Sequence, residues 1–162
     1  MNVKLAQKLV DILSSAGLVL AVAESCTAGR ISSVIGEVPG CSRCFWGGWV
    51  VYSNQAKIQT VGVPAECIQK HGAVSRQVVD SLLRGVLERA DDVDIAIAVS
   101  GIAGPGGAST DKPVGLVYSG ILFRGQAADI VEYRYSGTRI DIQEQATGDV
   151  LQRLLDILIS ES

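Results

Sequence analysis

The sequence predicts an α/β fold, a three-layer α/β/α arrangement in which a mixed, mainly buried sheet carries helices on both faces. Two apolar runs, Leu18-Val-Leu-Ala-Val-Ala23 and Asp94-Ile-Ala-Ile-Ala-Val-Ser100, have the pattern of strands covered on both sides. Segments with apolar residues at helical spacing flank them, the alternation expected of strands wrapped by helices. The composition is 48% hydrophobic but only 5% aromatic, with 18 glycines against 4 prolines, which suits a core of Val, Ile, Leu and Ala rather than an aromatic-rich β-sandwich.

The elements follow in order. Residues 3–16 place Leu5, Leu9, Ile12, Leu13 and Ala16 on one helical face, and Gly17 can end that helix in a left-handed cap. The buried run 18–23 stops at Glu24-Ser25-Cys26-Thr27-Ala28-Gly29, and a helix is expected from about Thr27 to Gly36. Trp46 to Ser53, centred on Trp49-Val-Val-Tyr52, reads as a second strand, after which Asn54 can cap a short helix carrying Lys57. A helical turn or two fits between Pro64 and Gly72. Ser75 is then placed to cap a long helix to Ala90, whose buried face is Val78, Val79, Leu82, Leu83, Val86 and Leu87. The strand 94–100 runs into the glycine-rich loop Gly101 to Gly107. Val114 to Phe123 and Ile130 to Tyr135 are expected to pair antiparallel, because Arg124-Gly125 leaves room only for a short turn. A last helix from about Thr138 to Ile159 carries Ile142, Ala146, Val150, Leu154 and Leu158 on one side.

At 162 residues, with no internal repeat or long linker, the expectation is one domain over 1–162. The formal charge of −3 and the lack of a basic block give no electrostatic footprint for nucleic acid. The longest apolar stretch, about Ala16 to Ala23, is far below the roughly 18 residues of a membrane span, and the first residues lack a signal-peptide pattern. A cytoplasmic protein without membrane contact is therefore expected, with its four cysteines free.

In an open α/β sheet, ligands gather outside the strand ends, so Glu24 to Gly29 and Ser100 to Gly107 are the first places to look for chemistry. Ser25 sits between a strand end and a helix start, where its hydroxyl could lie beside free N–H groups able to hold an oxyanion. Capping preferences alone favour the plainer role, with Ser25 and Thr27 as helix caps. A serine nucleophile needs a base. The single histidine, His71, has no supporting motif around it, and no Gly-x-Ser-x-Gly elbow is present. Lys57 can serve if burial keeps its amine neutral, although a surface lysine is the more common outcome on a short helix. Ser53 to Lys57 is one residue too long for Ser-x-x-Lys, and the loop 101–107 matches neither a dinucleotide fingerprint nor a P-loop. Cys41-Ser-Arg-Cys44 with Cys67 and His71 has spacings that a zinc ion could use, but free structural cysteines explain the same residues, and no metal or other cofactor is expected.

Five segments in this order, Ala23-Glu-Ser25-Cys-Thr-Ala-Gly29, Tyr52-Ser-Asn-Gln-Ala-Lys57, His71-Gly-Ala-Val-Ser75, Val99-Ser-Gly-Ile-Ala-Gly-Pro-Gly-Gly107 and Lys112-Pro-Val-Gly115, resemble the CinA C-terminal domain family over nearly the whole chain. The family includes stand-alone nicotinamide mononucleotide amidohydrolases. The resemblance implies hydrolysis of the carboxamide of nicotinamide mononucleotide to nicotinate mononucleotide and ammonia, a salvage step toward NAD. It further implies Ser25 as nucleophile, Lys57 as general base and Tyr52 as a hydrogen-bonding partner that holds or relays the proton between them. Substrate would be bound by Cys26, Thr27, Ala28 and Gly29, and backbone N–H groups around Ser25 to Ala28 would receive the oxyanion. Ser100, Gly101, Ile102, Ala103, Gly104, Pro105 and Gly106 would line the nucleotide pocket, and Arg139 in Ser136-Gly-Thr-Arg139 would meet the substrate phosphate. A homo-oligomer is implied as well. A catalytically silent nucleotide-binding or protein-interaction module of the same fold is the alternative. One departure from the family pattern is Ala28, which stands where the first of two glycines is frequent.

Overall fold

The computed structural model describes residues 1–160. Its elements are α1 (Asn2–Ala16), β1 (Leu20–Glu24), α2 (Arg30–Gly36), β2 (Phe45–Val50), α3 (Asn54–Ala56), α4 (Ala65–His71), α5 (Arg76–Arg89), β3 (Ile95–Gly101), β4 (Leu116–Phe123), β5 (Asp129–Arg134) and α6 (Arg139–Ser160). The five strands form one sheet in the order β2-β1-β3-β4-β5. β1 pairs parallel with β2 and β3, while β4 runs antiparallel to β3 and β5, which makes the sheet mixed. Helices cover both faces, so the structure has the three-layer α/β/α architecture expected.

The strand sequences decide how close the helices lie. On one face Leu20, Val22, Ile95, Ile97 and Val99 pack against α1, α2 and α6. On the other, the alternate positions are Ala21, Ala23, Ala96 and Ala98, which let α5 settle close to the sheet. Burial of Val78, Val79, Leu82, Leu83, Val86 and Leu87 anchors α5 there, at about 1.5–3 kcal/mol for each fully buried large side chain.

That helix also seats the next segment in toward the site. The chain after α3 widens into a π turn, Lys57–Val61, which crosses α5 at Gly85. A Cβ at Gly85 would lie 2.1 Å from the Val61 carbonyl oxygen, so only glycine permits this approach. Arg89 closes the same turn from outside, its Nε donating to the Thr60 carbonyl at 2.6 Å.

Several boundaries differ from the sequence reading for local reasons. β1 begins at Leu20 rather than Leu18, because the Leu18 N–H is drawn back to the Leu13 carbonyl in the cap of α1, where Gly17 has φ 68°. α2 begins at Arg30 rather than Thr27, since Ala28 (φ 51°) and Gly29 (φ 96°) take left-handed conformations that a helix cannot contain. The cap of the short helix is Ser53 rather than Asn54, its Oγ accepting from the Ala56 N–H at 3.0 Å. Lys57 follows α3 and opens the π turn. Ser75 caps α5 as expected, accepting from the Val78 N–H at 3.2 Å. No helix among the described residues is long and apolar enough to cross a membrane.

Candidate active site

The parallel neighbours β1 and β3 end side by side, and their exits define the site. β1 ends at Glu24, whose carbonyl accepts from the Val51 N–H at 2.8 Å, and the Ser25 N–H is fixed to the Val99 carbonyl at 3.0 Å. Strand alternation then turns Ser25 toward the α5 side of the sheet, where the π turn delivers Lys57. Lys57 Nζ stands 2.9 Å from Ser25 Oγ and donates to the Tyr52 carbonyl at 3.0 Å. The ammonium end is closed off from water, with Lys57 only 1% exposed and Ser25 6%. Burial pushes the Lys57 amine down to about 8 from an ordinary value of 10.5, and the nearby Cys26 opposes the shift. Cys26 moves the other way, to about 12, because its thiol is buried; it stays protonated and is no rival nucleophile at neutral pH.

Tyr52 enters the site through its backbone. β2 stops at Val50, Val51 points inward and is fully buried, and Tyr52 points outward and is half exposed. Ser25 and Lys57 therefore touch directly, with no phenol between them. Tyr52 is a hydrogen-bonding partner of the pair through its carbonyl, which orients the lysine, while its hydroxyl meets Arg139.

Arg139, at the first position of α6, bridges the rim of the site. One Nη donates to the Tyr52 hydroxyl and the other to the Gly104 carbonyl at 2.7 Å. Among the described contacts its Nε–H and one hydrogen on each Nη remain without a protein acceptor. The glycine-rich loop thus meets the site at Gly104, which a cis peptide joins to Pro105. Ile102 is pinned to β4 by paired bonds with Leu116 and Gly115. Ala103 is buried, while Pro105 and Gly106 face solvent. Gly101 lies at the end of β3. Ser100 is fully buried and its Oγ donates to the Ala73 carbonyl at 2.8 Å, so this hydroxyl tethers the 72–75 loop.

Two polar residues that the sequence reading passed over shape the nucleophile loop. Glu24 is completely buried, and its carboxylate accepts from Thr27 Oγ1 and the N–H groups of Gly29 and Ile31 on one oxygen, and from the N–H and Oγ of Ser32 on the other. The start of α2 is consequently occupied by Glu24. The loop N–H groups of Ala28 and Arg30 bond to the Ser25 and Thr27 carbonyls. Among the described residues, the N–H groups of Cys26 and Thr27 are left without a main-chain acceptor. The second residue, Gln143 on α6, is 6% exposed and donates to the Cys26 carbonyl at 2.8 Å. Both left a trace in the sequence, Glu24 as a charge closing a buried apolar run and Gln143 as a polar residue on the apolar stripe of a helix.

The cysteine and histidine residues are scattered. Cys41 and Cys44 pack with the α1 layer and Cys67 with the α5 layer, on opposite faces of the sheet. Among the described residues no three His, Cys, Asp or Glu side chains gather as a metal site. His71 and Cys67 line a groove of about 640 Å³ beside α4 and α5 that contains neither Ser25 nor Lys57.

The CinA C-terminal domain matches residues 2–158. The chain belongs to the CinA C-terminal domain family. A CinA-like protein of Dictyoglomus thermophilum is 43% identical over 150 residues, which cover 93% of this chain and 36% of that protein. The crystal structure of a competence-damaged protein (CinA) superfamily protein from Klebsiella pneumoniae superposes with a TM-score of 0.94 at 31% identity, covering 99% of each chain. That of the competence/damage inducible protein CihA from Agrobacterium tumefaciens gives 0.92 at 36% identity, over 96% of this chain and 94% of the other. The chain spans little more than a third of the length of the curated relatives it matches. Membership of the CinA family is compatible with an enzyme.

Proposed function

We propose that the chain is an amidohydrolase that converts the carboxamide of nicotinamide mononucleotide to nicotinate mononucleotide and ammonia, a salvage step in pyridine nucleotide metabolism, with Ser25 as nucleophile and Lys57 as base. The observation that carries the proposal is the buried 2.9 Å contact between Ser25 Oγ and Lys57 Nζ. A lysine sealed from water and held beside a serine is poised to lose its proton, and only the neutral amine can accept one from the hydroxyl.

The reaction then follows from the groups present. With Lys57 neutral, its N–H bonds to the Tyr52 carbonyl leave the lone pair facing Ser25. Ser25 Oγ attacks the amide carbon while its proton passes to Lys57. The oxyanion that forms falls to the Cys26 and Thr27 N–H groups, because Glu24 has taken those at the start of α2; such donors contribute several kcal/mol in acyl transfer. Lys57 returns the proton to the departing nitrogen, ammonia leaves, and an ester of Ser25 remains. Water attacks the ester, its proton again passing to Lys57, which returns it to Ser25 Oγ as the C–O bond breaks; the acid released ionises to the carboxylate. Arg139 supplies unpaired N–H donors for the phosphate, and the neighbouring Gly104 carbonyl and Tyr52 hydroxyl hold its guanidinium in place. Local donors must do this work, since the net charge of −3 gives no general attraction for a phosphorylated substrate.

The test is ammonia release from nicotinamide mononucleotide. Activity in the wild-type chain that disappears in a folded Ser25→Ala variant is the expected result. Undiminished turnover by that variant overturns the covalent route. A folded wild-type chain that releases no ammonia would favour the silent binding module instead.

A further inference from the structure

We infer that Gln143 is a positioning residue for the reaction: by holding the Cys26 carbonyl it turns the Thr27 N–H into the site as an oxyanion donor. The inference rests on the reading of Ser25 as nucleophile. Its basis is the geometry of one peptide unit. The Cys26 C=O and the Thr27 N–H belong to the same planar trans peptide and point in opposite directions. Gln143 lies on α6, on the α1/α2/α6 side of the sheet, and its Nε2 draws the Cys26 carbonyl toward that side at 2.8 Å. The Thr27 N–H must then face the other way, toward the side on which Ser25 meets Lys57. Thr27 is fully buried, and its own hydroxyl is committed to Glu24, so the residue is held at both ends.

Gln143 is itself locked. Its Oε1 accepts from Arg30 Nε at 3.0 Å, and Arg30 in turn pairs with Glu144 at 2.6 Å. This fixes which end of the amide is the donor, and a side chain with two matched partners loses its freedom to release the carbonyl. A peptide at this point without such a clamp could flip its carbonyl into the space meant for the oxyanion. Gln143 also lies one helical turn after Arg139 on the same face of α6, so the helix that meets the rim of the site also holds its floor.

The experiment measures kcat and KM for nicotinamide mononucleotide, and separately the dissociation constant of pyridine-3-boronic acid, a neutral probe that forms a tetrahedral adduct with a serine. Gln143→Glu keeps the acceptor for Arg30 and loses the donor to Cys26; Gln143→Leu loses both and serves if the first variant melts early. The expected result is a fall in kcat of about 10- to 100-fold, below the roughly 100- to 1000-fold loss seen when an oxyanion donor is removed outright. KM should stay within about threefold, and boronate affinity should fall in parallel with kcat. A wild-type chain that turns over while both folded variants keep full kcat and boronate affinity overturns the role of Gln143 alone. A wild-type chain that neither turns over nor captures the boronate removes Ser25 as nucleophile, and the inference falls with it.

Discussion

Titration of Lys57 offers the most direct quantitative test of the Ser25–Lys57 pair. With its amine near 8, about one tenth of the molecules carry the neutral base at pH 7, whereas an ordinary lysine near 10.5 would supply about three in ten thousand, a difference of roughly 300-fold. The expected profile of kcat for ammonia release therefore rises about tenfold per pH unit below 8 and levels off above it. Measuring kcat rather than kcat/KM separates this rise from ionisation of the free substrate. Lys57→Met should be inactive at every pH, because among the described residues Ser25 Oγ has no other hydrogen-bond partner apart from the Tyr52 carbonyl at 3.5 Å. The stability of the fold supplies a second reading with a definite sign. Because burial lowers the amine below its unfolded value, the folded state carries a penalty that is fully present below pH 8, relieved between 8 and 10.5, and absent above. The penalty corresponds to about 3 kcal/mol, so Lys57→Met should melt higher than wild type at pH 7, with the gap closing by pH 10.5. A kcat that is flat between pH 6 and 8, or a variant less stable than wild type at pH 7, would refute the reasoning.

Three further substitutions probe the surroundings of the pair. Tyr52→Phe should keep kcat within about threefold, since the contact with Lys57 comes from the main chain; a hundredfold loss in steady-state assays would restore the phenol as a relay. Ala28→Gly should stabilise the protein by about 0.5–1 kcal/mol, because a left-handed residue costs about 1–2 kcal/mol and the extra freedom of an unfolded glycine returns about 0.4–1. Calorimetry should record that gain as a rise in Tm of about 2–3 °C, and an unchanged or lower Tm counts against strain at Ala28. Glu24→Gln turns one of two acceptor oxygens into a donor facing other donors, and should cost about 3 kcal/mol, read as a drop of roughly 10 °C in the melting curve. A loss below about 1 kcal/mol would mean that the loop finds another way to satisfy the start of α2.

The legible part of this protein lies where one local property decides the outcome. Buried strands announce themselves as unbroken apolar runs, and Ser75 and Gly17 mark helix ends by chemistry that acts within a few residues. The candidate site was legible in its residue types but not in its connections. Ser25 and Lys57 are 32 positions apart, and their meeting depends on the close crossing at Gly85, which no local pattern encodes. Tyr52 shows the same limit in reverse. Its side chain drew attention as a chemical group, yet the alternation that buries Val51 sends the phenol outward and leaves the carbonyl to hold the base.

Glu24 and Gln143 left only a faint trace in the sequence, because what they hold in the nucleophile loop is mostly backbone, which carries no sequence signature. A buried carboxylate with five donors and a buried amide with two matched partners nevertheless determine which N–H groups stay free. Without Glu24, the first N–H groups of α2 would compete for any anion beside Ser25, as helix starts commonly do. With it, the loop N–H groups left without a main-chain acceptor among the described residues are those of Cys26 and Thr27, next to the nucleophile. The nucleophile loop is therefore specified by one acceptor, Glu24, and one donor, Gln143, placed around it. A substitution at either residue should alter the chemistry of Ser25 without touching Ser25 itself.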